Sequence, residues 1–454
     1  VSRRSLKTNK ICEAAGVIDM AKQWKVRNQT LLILWLIYIV AFLDRANFSV
    51  AAPYIAKELN LSAGQIGLVM SAFIFGYGWF QVVGGILADR IGSRKTMLIA
   101  LTWWTVFTAA TGMATSIVTM IIVRFLFGVG EAFQPPAAFK ALSVWFPKAE
   151  RLRATSMMSG ATALAPAITP LIVVWVVQNF GWRSMFYAFA IPGALVAILV
   201  YRHLYSRPSE HPEITLAEQE EILEGQSASS QTERIGLLQA FKVPKLLMLC
   251  AIYLVYDITY WGFFSWMPSY LVDIRHFAMV KMGIYASLPF LAGFIGLMLA
   301  NTIGTKIFRG NKPYFLSAIW IIGAASLYAA YKAESAETCI ALMAVTAGCG
   351  IFMAQGPFWA LVTERMPNQA MGFLSAVING AGKIGGSIAP LAIGVSITAT
   401  GGSYQSAFAL MAGCLLVCAV LVLFVREKSK IADREIDSQD IDAGQPLNAG
   451  PSQQ

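Results

Sequence analysis

Apolar residues run along this chain in blocks of about 20, the length a helix needs to cross the hydrocarbon core of a bilayer. Twelve such blocks are predicted, at 30–52, 65–88, 96–115, 117–140, 154–178, 185–204, 245–270, 282–306, 314–332, 338–363, 371–397 and 404–425. They fall into two sets of six, separated by a polar stretch at 205–243 that holds Glu218, Glu220, Glu221 and Glu224 and the run Ser227 to Ser230. Thr215 followed by Glu218 fits a capping box, so a short helix is expected over Thr215 to Glu224. The polar stretch from about Glu427 is expected to be disordered. The resulting division is an N-terminal tail at 1–29, a six-helix bundle at 30–204, a linker at 205–244, a second bundle at 245–426 and a tail at 427–454.

The halves carry echoes of one another. Gly181-Trp182-Arg183 to Pro192-Gly193 lines up with Gly401-Gly402-Ser403 to Ala412-Gly413, each leading into a sixth helix. Pro147-Lys148-Ala149-Glu150-Arg151 is echoed by Thr363-Glu364-Arg365-Met366-Pro367. The fold class is therefore an all-α membrane protein of twelve transmembrane helices in two pseudo-symmetric bundles, the layout of an alternating-access transporter.

Composition agrees. The 454 residues are 57% hydrophobic and 13% charged, and the net charge of +10 is concentrated in short loops. Arg90, Arg94 and Lys95 share one loop, Lys148, Arg151 and Arg153 another, and Lys306, Arg309 and Lys312 a third; loops of the opposite side hold only Lys57, Arg183, Arg275, Lys281 and Lys332. The positive-inside rule places both termini in the cytoplasm. Basic loops of this kind orient a membrane protein and do not read nucleic acid. Cys250, Cys339, Cys349, Cys414 and Cys418 sit in apolar runs as packing residues, Cys12 lies in the tail, and His203, His211 and His276 sit at segment ends. Neither a metal cluster nor a nucleophile–base pair is legible, so an enzyme is not expected. No cleavable signal peptide is visible, and Met20 is an alternative to Val1 as the translation start.

The informative residues are charges inside the apolar blocks. Asp44 and Arg45 are adjacent within Leu31 to Ala52, and Arg124 and Glu131 lie within another block. A charge at mid-bilayer costs about 2.5–3.5 kcal/mol on insertion scales, so such residues meet partners or water inside a bundle. At 1.5 Å per residue, Asp44 and Arg45 lie about 22 Å from the cytoplasmic face and Arg124 about 10 Å from the outer face, which are similar depths in a core of about 30 Å. Glu131, seven residues on, shares a face with Arg124. The second half adds Asp257, in an aromatic-rich seventh helix, and Lys383, in a glycine-rich eleventh. Lys383 reads equally as a second anion site, suiting a dicarboxylate or an aromatic acid, or as a buried partner of Asp257.

The loop Gly85-Ile86-Leu87-Ala88-Asp89-Arg90-Ile91-Gly92-Ser93-Arg94-Lys95 resembles the signature of the major facilitator superfamily. Asp44-Arg45-Ala46-Asn47, Phe73-Ile74-Phe75-Gly76-Tyr77, the stretch Arg124 to Glu131, and Trp145-Phe146-Pro147 with Glu150-Arg151 resemble its anion:cation symporter family, over roughly residues 30 to 425. That resemblance implies a proton-coupled importer of organic anions, such as sugar acids or aromatic carboxylates including phthalate, in a bacterial inner membrane. It implies a monomer without cofactor, the proton serving as coupling ion. Arg45 and Arg124 then offer two guanidinium groups to a carboxylate, with Tyr77 and Asn379 at family substrate positions and Asp44 and Glu131 as proton carriers. Gly85, Asp89, Arg90, Gly92, Arg94 and Lys95 form a cytoplasmic gate latching the halves, and the matching loop of the second half, Asn301 to Lys306, has lost the acid. Tyr77, Tyr256, Tyr260, Trp261 and Trp359 are candidates for an aromatic wall. Where sugar-acid transporters carry Gln after a Ser-Gly pair in the fifth helix, this chain has Ser159-Gly160-Ala161. With the aromatic residues and Lys383, that loss favours an aromatic carboxylate such as phthalate over a hexonate, hexuronate or glucarate. A non-transporting membrane sensor, an anion exporter and a drug exporter are the rivals; two cavity arginines disfavour cationic drugs.

Overall fold

A computed structural model describes residues 25–224, 243, 245–308, 311–366 and 371–425. Residues 1–24 of the expected N-terminal tail, the C-terminal tail, and Cys12, Met20, Ser227 to Ser230, Arg309 and Pro367 lie outside these residues; the first helix begins at Val26, ahead of the expected span at 30–52.

Ten helices among the described residues are long and apolar enough to cross a membrane. The longest, Lys148–His203, has 56 residues and would measure about 84 Å if straight, far beyond a core of about 30 Å. It is two spans, α5 (148–180) and α6 (182–203), folded back at Gly181, whose φ of 80° and ψ of 163° suit a residue without a side chain. Ser93–Gly112, which opens on the four polar residues Ser93, Arg94, Lys95 and Thr96, is less apolar than the other spans but is packed as α3 within the same half. The described residues thus hold twelve passes: α1 Val26–Leu59, α2 Ala63–Ile91, α3, α4 Ile117–Trp145, α5, α6, α7 Leu246–Asp273, α8 Met279–Lys306, α9 Lys312–Lys332, α10 Ala336–Arg365, α11 Met371–Ala399 and α12 Gln405–Val425.

The halves meet along α2–α11, α5–α8 and α1–α7. They are tightest at the end away from the linker, where small residues let backbones touch. A Cβ on Gly67 would lie 2.4 Å from the Pro390 carbonyl oxygen, and one on Gly394 2.4 Å from that of Ala63. Pro390 cannot donate to its own helix, and the next amide, of Leu391, donates instead to Ser71 Oγ of α2 (3.0 Å). Trp266 of α7 donates to the Pro390 carbonyl (3.1 Å). α10 is π-helical over Thr346–Phe352, and the Ile351 carbonyl in that stretch accepts the Tyr256 hydroxyl (2.6 Å).

At the linker end the ion pairs run within each half, as in Lys140–Asp89 (2.8 Å) and Arg27–Glu150 (3.0 Å). The expected short helix is present as Leu216–Glu224, and Thr215 Oγ1 accepts from the Glu218 amide (3.2 Å). The other half of the capping box is replaced. The Glu218 carboxylate accepts the Val26 and Arg27 amides (3.1 and 3.0 Å), the first free N–H groups of α1. Those donors lack intrahelical acceptors and sit at the positive end of a long helix dipole, which makes them a stronger partner than Thr215. Glu221 adds pairs to Lys25 and Arg27, both 2.8 Å. These hydrogen bonds hold the Glu221 carboxyl below its ordinary value. His211, packed against Tyr205 and Trp145, is shifted down by burial and is a packing residue as its position implied.

Two outcomes are expected. Gly67→Leu prises α2 from α11 at a cost of about 1–3 kcal/mol, lowering the apparent melting temperature of the purified protein; unchanged melting contradicts the close approach. Because Glu221 is shifted down, its contribution to linker docking is complete above the ordinary carboxylate range and is lost as pH falls through its depressed value. The protection factors of amides 216–224, measured by mass spectrometry against intrinsic rates at each pH, are therefore high at neutral pH and fall in acid; pH-independent protection factors contradict it.

Candidate functional site

α1 brings Asp44 and Arg45 and α4 brings Arg124 and Glu131 into one buried cluster, each at most 5% exposed. Arg45 Nε donates to Glu131 Oε2 at 2.8 Å. Its guanidinium lies 4.4 Å from the ring centres of both Phe42 and Tyr77, so Tyr77 serves as a platform for Arg45. Asp44 accepts from Asn47 Nδ2 (3.3 Å), and its second oxygen is buried without a hydrogen-bond partner.

Arg124 is held differently. No carboxylate lies within ion-pair distance of it among the described residues. It is caged by Phe127, Phe48 and Phe73 at 4.4, 4.8 and 5.2 Å from its guanidinium carbon. Nε and Nη1 are buried with no acceptor. In this conformation Arg45 spends Nε on Glu131 and keeps Nη2 buried without an acceptor, while Arg124 has both Nε and Nη1 open. The reason is geometric, since Arg45 and Glu131 lie on facing sides of α1 and α4 while three phenyl rings occupy the space around Arg124.

Across the α2–α11 crossing lies the second charged group. Lys383 Nζ is 2.8 Å from Asp257 Oδ2, with side-chain exposures of 14% and 4%. Of the two alternatives left open for Lys383, the pairing with Asp257 is the one formed here. The Lys383 stem packs on α2 where a Cβ on Gly78 would lie 2.8 Å from Lys383 Cβ. One turn away, Asn379 Nδ2 donates to Gln81 Oε1 of α2 (3.2 Å).

The aromatic candidates divide. Trp261 packs edge-on against Phe73 across the halves at 6.1 Å, and Trp359 lies 5.2 Å from Tyr253. Tyr260 is wedged between Trp261 and Phe352. Tyr256 is not available to a solute, because its hydroxyl is committed to α10.

The signature loop is also used differently from expectation. Asp89 pairs with Lys140 of α4. Arg94 donates to the Tyr201 carbonyl and lies over the Tyr205 ring (4.9 Å), and its amide donates to Ser206 Oγ (3.3 Å). Gly92 has φ 85°, and a Cβ there would meet Ser206 Oγ at 2.6 Å. Gly85 has only Pro136 Cβ nearby, at 3.9 Å, and Arg90 and Lys95 are exposed. The acid and Arg94 thus bind within their own half, and they do not latch the two halves together in this conformation.

Sequence reasoning missed Gln81, Tyr253 and Gln134. Gln134 is fully buried one turn beyond Glu131, and neither of its side-chain polar atoms has a partner. Gln81 and Gln134 are lone amides in apolar runs, a weak but readable signal.

The Major Facilitator Superfamily profile matches residues 34–390. The chain is 29% identical over 440 residues to the probable sulfoacetate transporter of Cupriavidus necator, covering 95% of this chain and 100% of that protein. It is 28% identical over 411 residues to the hexuronate transporter of Bacillus subtilis, covering 87% and 94%. Among solved structures, a bacterial homologue of the human lysosomal transporter Spinster, inward-facing and unoccupied, superposes with a TM-score of 0.69 at 18% identity, covering 92% of this chain and 98% of that one. The chain belongs to the major facilitator superfamily: it is a multi-pass membrane transporter, not an enzyme, and its work calls for no cofactor.

Proposed function

We propose that this protein carries a small organic acid anion into the bacterial cell across the inner membrane, by alternating access and together with protons. The observation that carries the reading is Arg124, a buried guanidinium with open donors and no carboxylate. Buried donors without acceptors are costly, and a charge at this depth is retained where a ligand completes it. A carboxylate accepts two parallel hydrogen bonds from such a group.

The Arg45–Glu131 pair supplies the coupling. A proton on Glu131 removes the negative charge that holds Arg45 and leaves that guanidinium free to join Arg124 on the solute. Loss of the solute's charge lets Arg45 return to Glu131 and expel the proton. Asp44, with one unpartnered oxygen, is the second carrier. Proton and anion therefore enter the pocket together and leave it together.

The solute is an aliphatic acid of the sugar-acid or sulfonate type, in place of the aromatic carboxylate favoured by the bare sequence. Both reported relatives are named for aliphatic acids. The facing amides of Gln81 and Asn379 suit hydroxyl groups, and the stacked rings of α7 and α10 are packed against one another.

Uptake of labelled hexuronate and sulfoacetate into proteoliposomes tests this. Arg124→Ala is expected to lower uptake at least about 100-fold, as for loss of a charge-assisted bidentate contact, with the protein still in the membrane; uptake near wild type removes Arg124 from the site. Glu131→Gln is expected to keep solute exchange and lose accumulation driven by a pH gradient; preserved accumulation removes its carrier role.

A further inference from the structure

The Asp257–Lys383 pair is placed where a helix brace is not needed. α7 and α11 already pack backbone to backbone: Cβ atoms on Gly385, Gly382 and Gly386 would lie 2.1 Å from the Leu254 carbonyl oxygen, 2.4 Å from Tyr253 and 2.5 Å from Trp261. Trp266 bonds the two helices further along. A buried ion pair adds little net stability over apolar packing of the same volume, so holding two helices that are already joined does not account for it.

Its surroundings point elsewhere. The ammonium has three donors, its side chain retains 14% exposure, and the hydrogen bond to Asp257 uses one donor. Trp261 stands 5.7 Å from it. The same Trp261 touches Phe73, which forms one wall of the Arg124 cage. Lys383 also packs at Gly78, the residue after the Tyr77 platform of Arg45. Asn379 and Lys383 on α11 thus face Gln81 and Gly78 on α2. One half holds a carboxylate–guanidinium pair, the other a carboxylate–ammonium pair, and the crossing between them is lined by amides.

Building on the transport reading above, we propose that the solute is a dianion with an acid group at each end, one end bound by Arg124 with Arg45 and the other by Lys383. When the second acid group takes the ammonium, Asp257 loses its cation in a buried place, where a lone carboxylate persists only in neutral form. It therefore takes a proton from water onto Oδ2. The first acid group then meets Arg124 and Arg45 and the second meets Lys383, and Asp257 takes up a proton in addition to those carried by Glu131 and Asp44.

Intrinsic tryptophan fluorescence of the purified full-length protein, titrated with two matched pairs, tests the assignment. The pairs are galactarate against galacturonate and sulfoacetate against acetate, each differing by one acid group. At least one diacid is expected to half-saturate the protein at about tenfold lower concentration than its monoacid, the worth of one charge-assisted contact. Lys383→Gln is expected to weaken the diacid about tenfold more than the monoacid. Asp257→Asn keeps the diacid but takes up one proton fewer per molecule, read with a pH indicator. Should Lys383→Gln not accumulate, the double variant with Asp257→Asn, a neutral amide pair, answers the same question. Equal half-saturation in both pairs, or equal weakening of diacid and monoacid by Lys383→Gln, overturns the dianion while leaving the anion transporter standing. Failure of all four acids to bind overturns both.

Discussion

Everything in this protein turns on burying charge in an apolar bundle without sealing it. Each half meets that constraint with a carboxylate and a cation in contact, Glu131 with Arg45 and Asp257 with Lys383. Arg124 is the exception, wrapped in phenyl faces that hold a cation weakly and leave its donors unspent. Cation–π contacts of this kind are worth about 0.5–2 kcal/mol, less than a charge-assisted hydrogen bond to an anion. The cage positions the group and leaves Nε and Nη1 without an acceptor.

Around that cluster the two halves meet on small residues. α2 and α11 approach so closely at one end that backbone oxygens fill the places of side chains. At the other end the signature loop and the linker helix hold to their own half. Glycines bring the halves into contact at the crossing, and the two charged pairs lie on either side of it.

Much of this was legible in the residues. Apolar block length marks the spans, and charges inside the blocks mark the site, because both follow from the same solvation cost. Partner choice was not legible. That Arg45 takes Glu131 while Arg124 is left to Phe48, Phe73 and Phe127 depends on helix rotation, which a seven-residue spacing constrains only on its own helix. The Glu218 cap on α1 joins residues 192 apart in sequence, and local capping rules point to the wrong amide. The break between the spans at 154–178 and 185–204 was legible, and the structure places it at Gly181. Aromatic richness in α7 suggested a wall for an aromatic solute; Tyr253 of α7 stacks on Phe358 and meets Trp359 edge-on, both of α10.

The central claim is that solute charge and proton occupancy are read by one cluster. The most direct measurement is the pH of a weakly buffered medium around proteoliposomes when sulfoacetate or hexuronate is added without any imposed gradient. The account predicts alkalinisation of the outer medium that follows solute entry and vanishes with a protonophore; entry of solute with no movement of protons would contradict it.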